Sequence, residues 1–442
     1  MNAPITRRAF VRRTALASAA LTFPFVAVRN VYGANSRLNI AAIGAGGKGG
    51  IDIGYCAGEN VVALCDVDQK NADGTFNKFP QAARYKDFRR LFETQKDIDA
   101  VTISTPDHTH FHAAALALQL RKHLYLQKPL THTVWEARTL TQLARKARVV
   151  TQMGNQGHSE VNSRRLVELI RSGVLGHVTE VHVWTNRPIW PQGIERPPSK
   201  PAPAHLDWDL WLGPAPWREY HDGCAPFNWR AYWDFGTGAL GDMGCHNMDL
   251  AFFALDLKDP IAVSAESSGV NRETAPKWSI VRYEFAKRRS QPAITMTWYD
   301  GGKKPNPALA KAAELPENGY IFVGTKDTLY VPSYWGKGSF LSGAKMEDFA
   351  SVPMTLPRHP VGEKDNDAAQ HLEWIDACKG KGKALANFEY AGPMTETVLL
   401  GNVALRVGKR LEWDSKKLRV KNAPEAAALI RSEYRKGWEW NG

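Results

Sequence analysis

Leu38-Asn39-Ile40-Ala41-Ala42-Ile43-Gly44-Ala45-Gly46-Gly47-Lys48-Gly49-Gly50 is the stretch that decides the fold of the first part of this chain. Its apolar start predicts a short buried strand, and Gly44, Gly46 and Gly49 form a Gly-x-Gly-x-x-Gly pattern before a predicted helix. The first glycine allows a tight turn, the second lets backbone approach a pyrophosphate, and the third lets helix pack on strand. A helix N-terminus also favours phosphate groups. The stretch therefore predicts a dinucleotide-binding turn; a glycine-rich turn without a ligand is the alternative.

A second apolar run, residues 61–65, ends at Asp66. A carboxylate at this point accepts hydrogen bonds from both hydroxyls of a ribose and repels a 2′-phosphate. We therefore expect NAD as the cofactor and NADP less. An acidic turn at Asp66 and Asp68 with no ligand is the alternative.

The alternation of strands and helices continues through residue 156. Residues 100–103 predict a strand, a helix follows from Phe111, and residues 123–126 predict another strand. This order predicts an α/β fold with a doubly wound parallel sheet, whose ligands lie at the carboxyl ends of the strands. The loops at those ends, together with the glycine turn, supply the predicted cofactor-binding residues Gly44, Gly46, Gly47, Gly49, Asp66, Thr105, Pro106, His108, Lys128, Pro129 and Asn155.

Three alternating histidines follow the third predicted strand. His108, His110 and His112 would share one side of an extended chain, as some metal sites require. Pro106 and Asp107 instead predict the start of a helix, with Asp107 capping its amides. On a helix the three imidazoles point in different directions, so we predict no metal site.

The second half of the chain predicts an α+β domain. A helical pattern at residues 165–170 leads to a strand at 178–184, and later runs at 280–285, 294–299 and 321–323 suggest a mainly antiparallel, open sheet. We expect this sheet to form one wall of the site. The predicted organisation is an export signal in residues 1–34, a nucleotide domain in 35–157 and a substrate domain in 158–442.

Seven of the 15 tryptophans lie between Trp184 and Trp233. Aromatic rings stack on the C–H faces of sugars, while polar neighbours such as Asn186 and Arg230 take hydroxyl groups. For most of these rings a second interpretation is favoured, in which they pin a proline-rich loop to the domain. Arg187, Trp190 and His246 are the predicted substrate-binding residues.

Asp242, His246 and Asp249 are spaced so that one helix would carry them on one face. Oxidation of a secondary alcohol needs a hydride acceptor, a base for the hydroxyl proton and a donor that stabilises the alkoxide. His246 titrates near neutrality and relays the proton, Asp242 holds the alcohol or orients the imidazole, and Lys128 supplies positive charge. Alternatively, Asp242 caps a helix and His246 is a core histidine.

Four pieces of the sequence resemble the Gfo/Idh/MocA family of glucose-fructose oxidoreductase and inositol dehydrogenase. They are the glycine turn with Asp66, the loop at residues 105–108, Lys128-Pro129 after a strand, and the run from Asp242 to His246. The resemblance implies that Lys128, Asp242 and His246 are catalytic, and that the C-terminal sheet forms a homo-oligomer. One departure is visible: the family usually has Glu-Lys-Pro, whereas this chain has Gln127 before the lysine. We expect changed local charge there and retained chemistry.

The N-terminus reads as a twin-arginine export signal. Residues 6–12 include Arg7 and Arg8 and precede a mildly apolar stretch that is short for a membrane span. A C-terminal stretch at residues 401–414 resembles the exported members of the family. We therefore expect a periplasmic protein with no stable membrane insertion.

Composition excludes several classes of protein. With 43% hydrophobic and 23% charged residues, the chain is an ordinary globular protein. Its charge of +12 comes partly from five arginines in residues 1–34, and no basic run with interleaved aromatics follows, so nucleic acid is not an expected partner. The five cysteines are odd in number and widely spaced, which predicts no disulfide or zinc framework.

Export creates a supply problem for a nicotinamide enzyme, because soluble NAD is a cytoplasmic metabolite. We therefore hypothesise a tightly held NAD that is reduced and reoxidised within each cycle. The leading prediction is an oxidoreductase that transfers hydride to or from a secondary alcohol of a sugar or polyol. A redox-neutral NAD-dependent glycoside hydrolase or lyase acting through a 3-keto intermediate is the alternative enzyme. A non-catalytic sugar or nucleotide sensor is the alternative outside enzymes.

Overall fold

The computed structural model describes residues 37–288, 291–333, 335–440 and 442. The predicted export signal in residues 1–34 lies outside these ranges. Within them, no helix combines the length and the apolar character that crossing a membrane requires.

Six parallel strands form the first sheet, as the alternating pattern predicted. They are arranged in the order β3-β2-β1-β4-β5-β6, and each neighbouring pair is parallel. Strands β1, β4 and β5 are buried almost throughout because helices cover both faces of the sheet. The strands are β1 (Asn39–Ile43), β2 (Asn60–Cys65), β3 (Ala83–Tyr85), β4 (Ala100–Ile103), β5 (His123–Gln127) and β6 (Thr151–Gly154).

Five helices follow the first five strands and start at clear signals. The side chain of Asp68 caps the second helix, and Thr133 and Glu136 form a reciprocal capping box at the fifth. The fourth helix begins at Asp107, which confirms the start predicted from Pro106 and Asp107 and lies before Phe111, from which the alternation of strands and helices predicted a helix. The helices are α1 (Lys48–Tyr55), α2 (Gln69–Lys78), α3 (Phe88–Thr94), α4 (Asp107–Gln119) and α5 (Val134–Ala147).

Nine strands form the second sheet, which confirms the predicted mainly antiparallel arrangement. Their order is β13-β12-β11-β7-β10-β9-β8-β14-β15, and only the β7–β10 pair is parallel among the described residues. The strands are β7 (Val178–Trp184), β8 (Ala262–Ser267), β9 (Ser279–Phe285), β10 (Ile294–Tyr299), β11 (Gly319–Gly324), β12 (Thr328–Val331), β13 (Ser339–Phe340), β14 (Leu411–Asp414) and β15 (Arg419–Val420).

The helices of the second half join the two sheets. The long α11 (Phe388–Val407) packs against α5 on one side and against α8 (Gly238–Asn247), β8 and β9 on the other, so one continuous apolar core links both halves. The helix α10 returns to the first sheet, where Trp374 and Ile375 enter the core beneath β1 and β2. These helices are α6 (Val161–Arg171), α7 (Trp208–Leu212), α8 (Gly238–Asn247), α9 (Asp249–Leu255), α10 (Asn366–Cys378), α11 (Phe388–Val407) and α12 (Ala427–Ile430).

Candidate active site

The glycine turn between β1 and α1 requires glycine for steric reasons. Gly44 has a φ of 79°, and a Cβ atom built on it would lie 2.7 Å from the carbonyl carbon of Ser104. A Cβ on Gly49 would lie 1.8 Å from the carbonyl oxygen of Gly44, which is closer than any real contact. The close approach of turn, helix and neighbouring strand that the pattern predicts is therefore present in the structure.

Asp66 lies at the carboxyl end of β2 and faces this turn. Its Oδ2 accepts hydrogen bonds of 2.8 Å from the backbone amides of Ala45 and Gly46, and its Oδ1 accepts one of 2.8 Å from the amide of Asp68. Burial raises the pKa of Asp66 above its ordinary value, although the three amide donors oppose this. Oδ2 thus uses both of its lone pairs, whereas Oδ1 keeps one with which it can accept another hydrogen bond.

The loop after β4 carries Thr105, Pro106 and the start of α4. The N-cap of this helix is Pro106, and no side chain caps its first amides. The prediction that Asp107 caps them was therefore wrong. The Asp107 carboxylate instead accepts a hydrogen bond of 2.6 Å from the Thr237 hydroxyl, because α8 lies against this loop. Burial raises the pKa of Asp107 to about 7, with that hydrogen bond acting in the opposite direction.

The three histidines of α4 point to three different places, as a helix requires. The ring nitrogens of His108 lie 3.2 and 3.0 Å from the carbonyl oxygens of Phe235 and Trp211. His110 contacts the carbonyl oxygens of Pro129 and Thr105, and His112 contacts that of Trp438. These contacts hold the segments around the site together. Both ring nitrogens of His108 take part in them, and His108 is only 3% exposed.

Lys128, at the end of β5, makes the central ion pair of the site. Its Nζ donates to the Oδ1 and to the carbonyl oxygen of Asp242 in α8, both at 2.8 Å. Arg230 Nε donates to the same Oδ1 at 3.0 Å. Burial alone would raise the pKa of Asp242, but the charges of Lys128 and Arg230 hold it well below its ordinary value. Asp242 is therefore an ionised carboxylate between two cations and does not cap a helix.

His246 lies one helical turn after Asp242. Its Nδ1 is 2.8 Å from the Oδ1 of Asn155, at the end of β6, and its ring stands edge-on to Trp335 with 5.9 Å between the centroids. Burial, and then the charge of Lys128, hold the pKa of His246 well below its ordinary value. The imidazole is therefore neutral at physiological pH.

Asp249 does not share a helix face with Asp242 and His246, and that prediction was wrong. The helix α8 ends at Asn247, and Asp249 begins the separate helix α9 after a break at Met248. The Asp249 carboxylate contacts His158 Nδ1 at 3.0 Å and accepts a hydrogen bond of 2.6 Å from the Tyr390 hydroxyl.

The two predicted substrate residues other than His246 lie in different environments. Arg187 is half-buried, and its positive charge contributes to lowering the pKa of His246. Trp190 is only 4% exposed and donates through Nε1 to Gln192. It belongs to an aromatic cluster that also includes Trp208, Trp211, Trp229, Tyr220, Tyr232 and Phe235. Most tryptophans of this segment therefore pack the loop, as the second interpretation held, and Trp217 is exposed.

Sequence reasoning gave no role in the site to Trp335, and it treated Arg230 only as a neighbour for hydroxyl groups. Trp335 follows β12 and reaches His246 from a distant part of the chain, so no local pattern reveals it. Arg230 was visible as a cation shortly before Asp242, but its side-chain direction depends on the 3₁₀ turn at Asn228–Ala231.

Two family models match the chain. The model described as "Oxidoreductase family, NAD-binding Rossmann fold" matches residues 38–155, and the one described as "Oxidoreductase family, C-terminal alpha/beta domain" matches residues 159–291. Both are models of the same family, and together they cover more than half of the chain.

Among curated relatives, D-glucoside 3-dehydrogenase of Escherichia coli (strain K12) is 25% identical over 53% of this chain and 58% of its own length. Inositol 2-dehydrogenase of Salmonella paratyphi B is 27% identical over 28% of this chain and 38% of its own length. The matched part thus spans less than two thirds of either relative.

Solved structures share the fold at low sequence identity. Aldose-aldose oxidoreductase from Caulobacter crescentus, complexed with glycerol, matches with a TM-score of 0.58 and 18% identity, covering 85% of this chain and 100% of that one. The WlbA dehydrogenase from Bordetella pertussis, in complex with NADH and UDP-GlcNAcA, matches with a TM-score of 0.59 and 15% identity, covering 86% and 99%.

Proposed function

Because the chain belongs to the Gfo/Idh/MocA family of oxidoreductases, we propose that it transfers hydride between a nicotinamide cofactor and a secondary alcohol of a sugar or polyol. The observation that carries the proposal is the ion pair of Lys128 and Asp242 beside a neutral His246, at the carboxyl ends of the first sheet. A cation, a carboxylate and a proton acceptor are the groups that alcohol oxidation needs.

The residues around the glycine turn fit a dinucleotide. A Cβ on Gly47 would meet nothing within 4 Å, so open space adjoins the backbone of the turn at the start of α1. Two buried polar atoms on the neighbouring loops, Thr105 Oγ1 and Asn155 Nδ2, have no hydrogen-bond partner among the described residues, as expected of atoms that a ligand would satisfy. Cofactor contacts are assigned to Gly44, Gly46, Gly47, Gly49, Asp66, Thr105, Pro106, Lys128, Pro129 and Asn155. His108, which the sequence also predicted for this set, is left out because both of its ring nitrogens face backbone carbonyl oxygens.

His246 is the proposed base. An amide oxygen accepts hydrogen bonds and does not donate them, so the contact with Asn155 Oδ1 places the ring proton on Nδ1. The lone pair then lies on Nε2, which accepts the proton of the substrate hydroxyl. The low pKa of the ring keeps it unprotonated, and therefore ready to accept a proton, across the neutral range.

Lys128 is the proposed donor to the substrate oxygen. Its ammonium group stabilises negative charge as the hydroxyl loses its proton, and the two hydrogen bonds to Asp242 fix its direction. When bound, the nicotinamide accepts or supplies the hydride. Arg230 shares the carboxylate of Asp242, so Lys128 can turn one of its protons to substrate without leaving Asp242 unpaired.

The substrate wall is proposed to contain Arg187 and Trp335, with Trp190 behind it. Trp335 contacts His246 directly, and an indole in this position offers a face to the C–H groups of a sugar ring. Arg230 lies with its guanidinium 5.9 Å from the ring of Trp190, so Trp190 supports a residue of the ion pair.

NAD is the proposed cofactor in preference to NADP, because the buried Asp66 carboxylate would oppose a 2′-phosphate. We also retain as proposals the periplasmic location, the export signal in residues 1–34, and a tightly held NAD that is recycled within each turnover. A homo-oligomer through the open face of the second sheet is proposed by family resemblance. The relatives named above are dehydrogenases and oxidoreductases, so the alternative glycoside hydrolase or lyase is not favoured.

The test is to purify the protein without added nucleotide, record its absorbance spectrum, and then add a panel of sugars and polyols. We expect bound nicotinamide and a rise of the reduced-nicotinamide band with at least one substrate. A band that rises once and needs a second substrate to fall supports the tightly held cofactor. A protein that neither contains NAD nor binds it at saturating concentration would overturn the proposal.

A further inference from the structure

A buried carboxylate lies next to Gln127, the residue that departs from the Glu-Lys-Pro pattern. Gln127 Nε2 donates to the Oδ2 of Asp52 at 2.9 Å. Asp52 is on the inner face of α1 and is fully buried, and Gln127 is 5% exposed. The negative charge that a glutamate at residue 127 would carry is therefore found on Asp52, the hydrogen-bond partner of Gln127.

Asp52 also connects the elements that line the nucleotide crevice. Its Oδ2 accepts a hydrogen bond of 2.7 Å from the Ser104 hydroxyl at the end of β4, and its Oδ1 lies 2.9 Å from the Lys48 ammonium at the start of α1. His371 Nε2 of α10 lies 3.4 Å from the same Oδ1. One carboxylate thus joins α1, which carries it, to the end of β4, the end of β5 and α10.

The charges around Asp52 keep it ionised. Burial alone would raise the pKa of Asp52, but His371 and Lys48 lower it to about 2. Lys48 also pairs with Asp367 at 2.8 Å, so the ammonium lies between two carboxylates. Asp52, Asp367 and His371 have the spacing of metal ligands, but the ammonium of Lys48 already supplies the positive charge between the two carboxylates.

A second carboxylate could not replace Gln127 without a penalty. Glutamate at residue 127 would bring two buried carboxyl groups together at about the 2.9 Å of the present hydrogen bond. Like charges at this distance do not both ionise, so the pair would have to take up a proton or move apart. The amide of Gln127 and the carboxylate of Asp52 are therefore complementary.

We propose that Asp52 is the positioning residue of the crevice, carrying the buried negative charge in place of a carboxylate at residue 127. In this position it holds α1, the helix that follows the glycine turn, to the β4 loop through Ser104 and to the Lys128 strand end through Gln127. The effect on cofactor binding rests on the proposed function, whereas the complementarity of residues 52 and 127 does not.

The experiment is a double-mutant cycle on the full chain with Asp52→Asn, Gln127→Glu and the two combined. Unfolding midpoints are measured by calorimetry without nucleotide, and NAD affinity by quenching of tryptophan fluorescence. We expect each single variant to lower the midpoint by about 5–10 °C, because Asp52→Asn removes the carboxylate that accepts from Gln127 and Ser104, and Gln127→Glu places a second buried carboxylate beside Asp52. The combined variant should recover at least half of that loss. If Gln127→Glu gives no soluble protein, a soluble combined variant counts as the same recovery.

A matched control uses Gln192, a buried glutamine of the second half whose amide donates to the carbonyl oxygen of Pro276. Asp52→Asn combined with Gln192→Glu should show losses that add, with no recovery. Additive losses in the Asp52/Gln127 cycle as well would overturn the proposed complementarity.

NAD affinity tests the positioning role separately. We expect each single variant to bind NAD about tenfold more weakly, and the combined variant to regain affinity, because misplaced loops lose contacts with the cofactor. Unchanged affinity in the single variants would overturn the positioning role. If the unaltered protein itself does not bind NAD, the proposed function fails, and the calorimetric cycle still decides whether residues 52 and 127 are a pair.

Discussion

Lys128→Met separates the chemical role of this lysine from its structural role. Methionine has a similar length and no charge, so the change removes the ammonium that lies 2.8 Å from both Asp242 Oδ1 and the Asp242 carbonyl oxygen. Arg230 stays 3.0 Å from the same Oδ1. The Asp242 carboxylate thus loses one cation and keeps another.

The structure sets different magnitudes for the two effects. A buried charge left with no partner costs roughly 3–5 kcal/mol, but Arg230 still neutralises Asp242, so we expect a loss of about 2 kcal/mol in the free energy of unfolding. Turnover loses a donor to the developing alkoxide, and we expect a fall of about 10²–10⁴, the scale of a lost acid–base or oxyanion group. The pKa of Asp242 should rise toward its ordinary value.

The assay compares turnover, NAD affinity and the unfolding midpoint. Lys122→Met is the matched control, because Lys122 is a partly buried lysine that donates to the carbonyl oxygen of Ile98 and lies near the start of β5, at the opposite end of that strand from Lys128. It should leave turnover within about twofold. Combining Lys128→Met with Arg230→Met should lower the midpoint by more than the sum of the single changes, since Asp242 then has neither cation. Turnover of Lys128→Met within tenfold of the unaltered protein, at unchanged NAD affinity, would refute the assignment.

Three further predictions concern His246, Trp335 and two other histidines, His112 and His132. His246→Ala should slow turnover by about 10²–10⁴, and a rate within tenfold would remove this base from the mechanism. Trp335→Ala should raise KM for the substrate by about tenfold while kcat changes less, because a stacking face is lost; an unchanged KM would contradict this. Burial lowers the pKa of His112 and of His132 to about 4, so between pH 6.5 and 4 the unfolded chain binds protons that the folded chain does not. Stability should therefore fall as pH falls through this window, by up to about 1.4 kcal/mol per pH unit for each histidine, and His112→Gln should reduce the slope of the urea midpoint against pH. A midpoint that does not change from pH 6.5 to 4 would contradict the reasoning.

The first sheet was predictable because its signals are local. The apolar run before Gly44 and the crowded glycines after it specify strand, turn and helix within thirteen residues. The break at Met248 between α8 and α9 was not visible, because the sequence of residues 242–255 has continuous helical character. Asp249 consequently binds His158 and Tyr390 instead of joining the site.

The candidate site was predictable only in part, since several of its contacts cross long stretches of chain. Lys128 and Asp242 were paired through family resemblance, and no spacing rule connects residues 114 positions apart. Asp52 had a weak local signal, an acid on the apolar helix between Ile51 and Ile53. Its importance follows from what surrounds it, namely Gln127, Ser104 and a histidine from α10.

The return of α10 to the first sheet affects how the protein can be made. Trp374 is fully buried in the core under β1 and β2. The first sheet ends at Gly154, so the helix that covers this part of it is synthesised more than two hundred residues later. A fragment ending near residue 157 would expose this apolar surface and would leave Lys48 without Asp367. Folding of the nucleotide half therefore finishes only late in synthesis, and expression of that half alone should require the helix to be supplied as well.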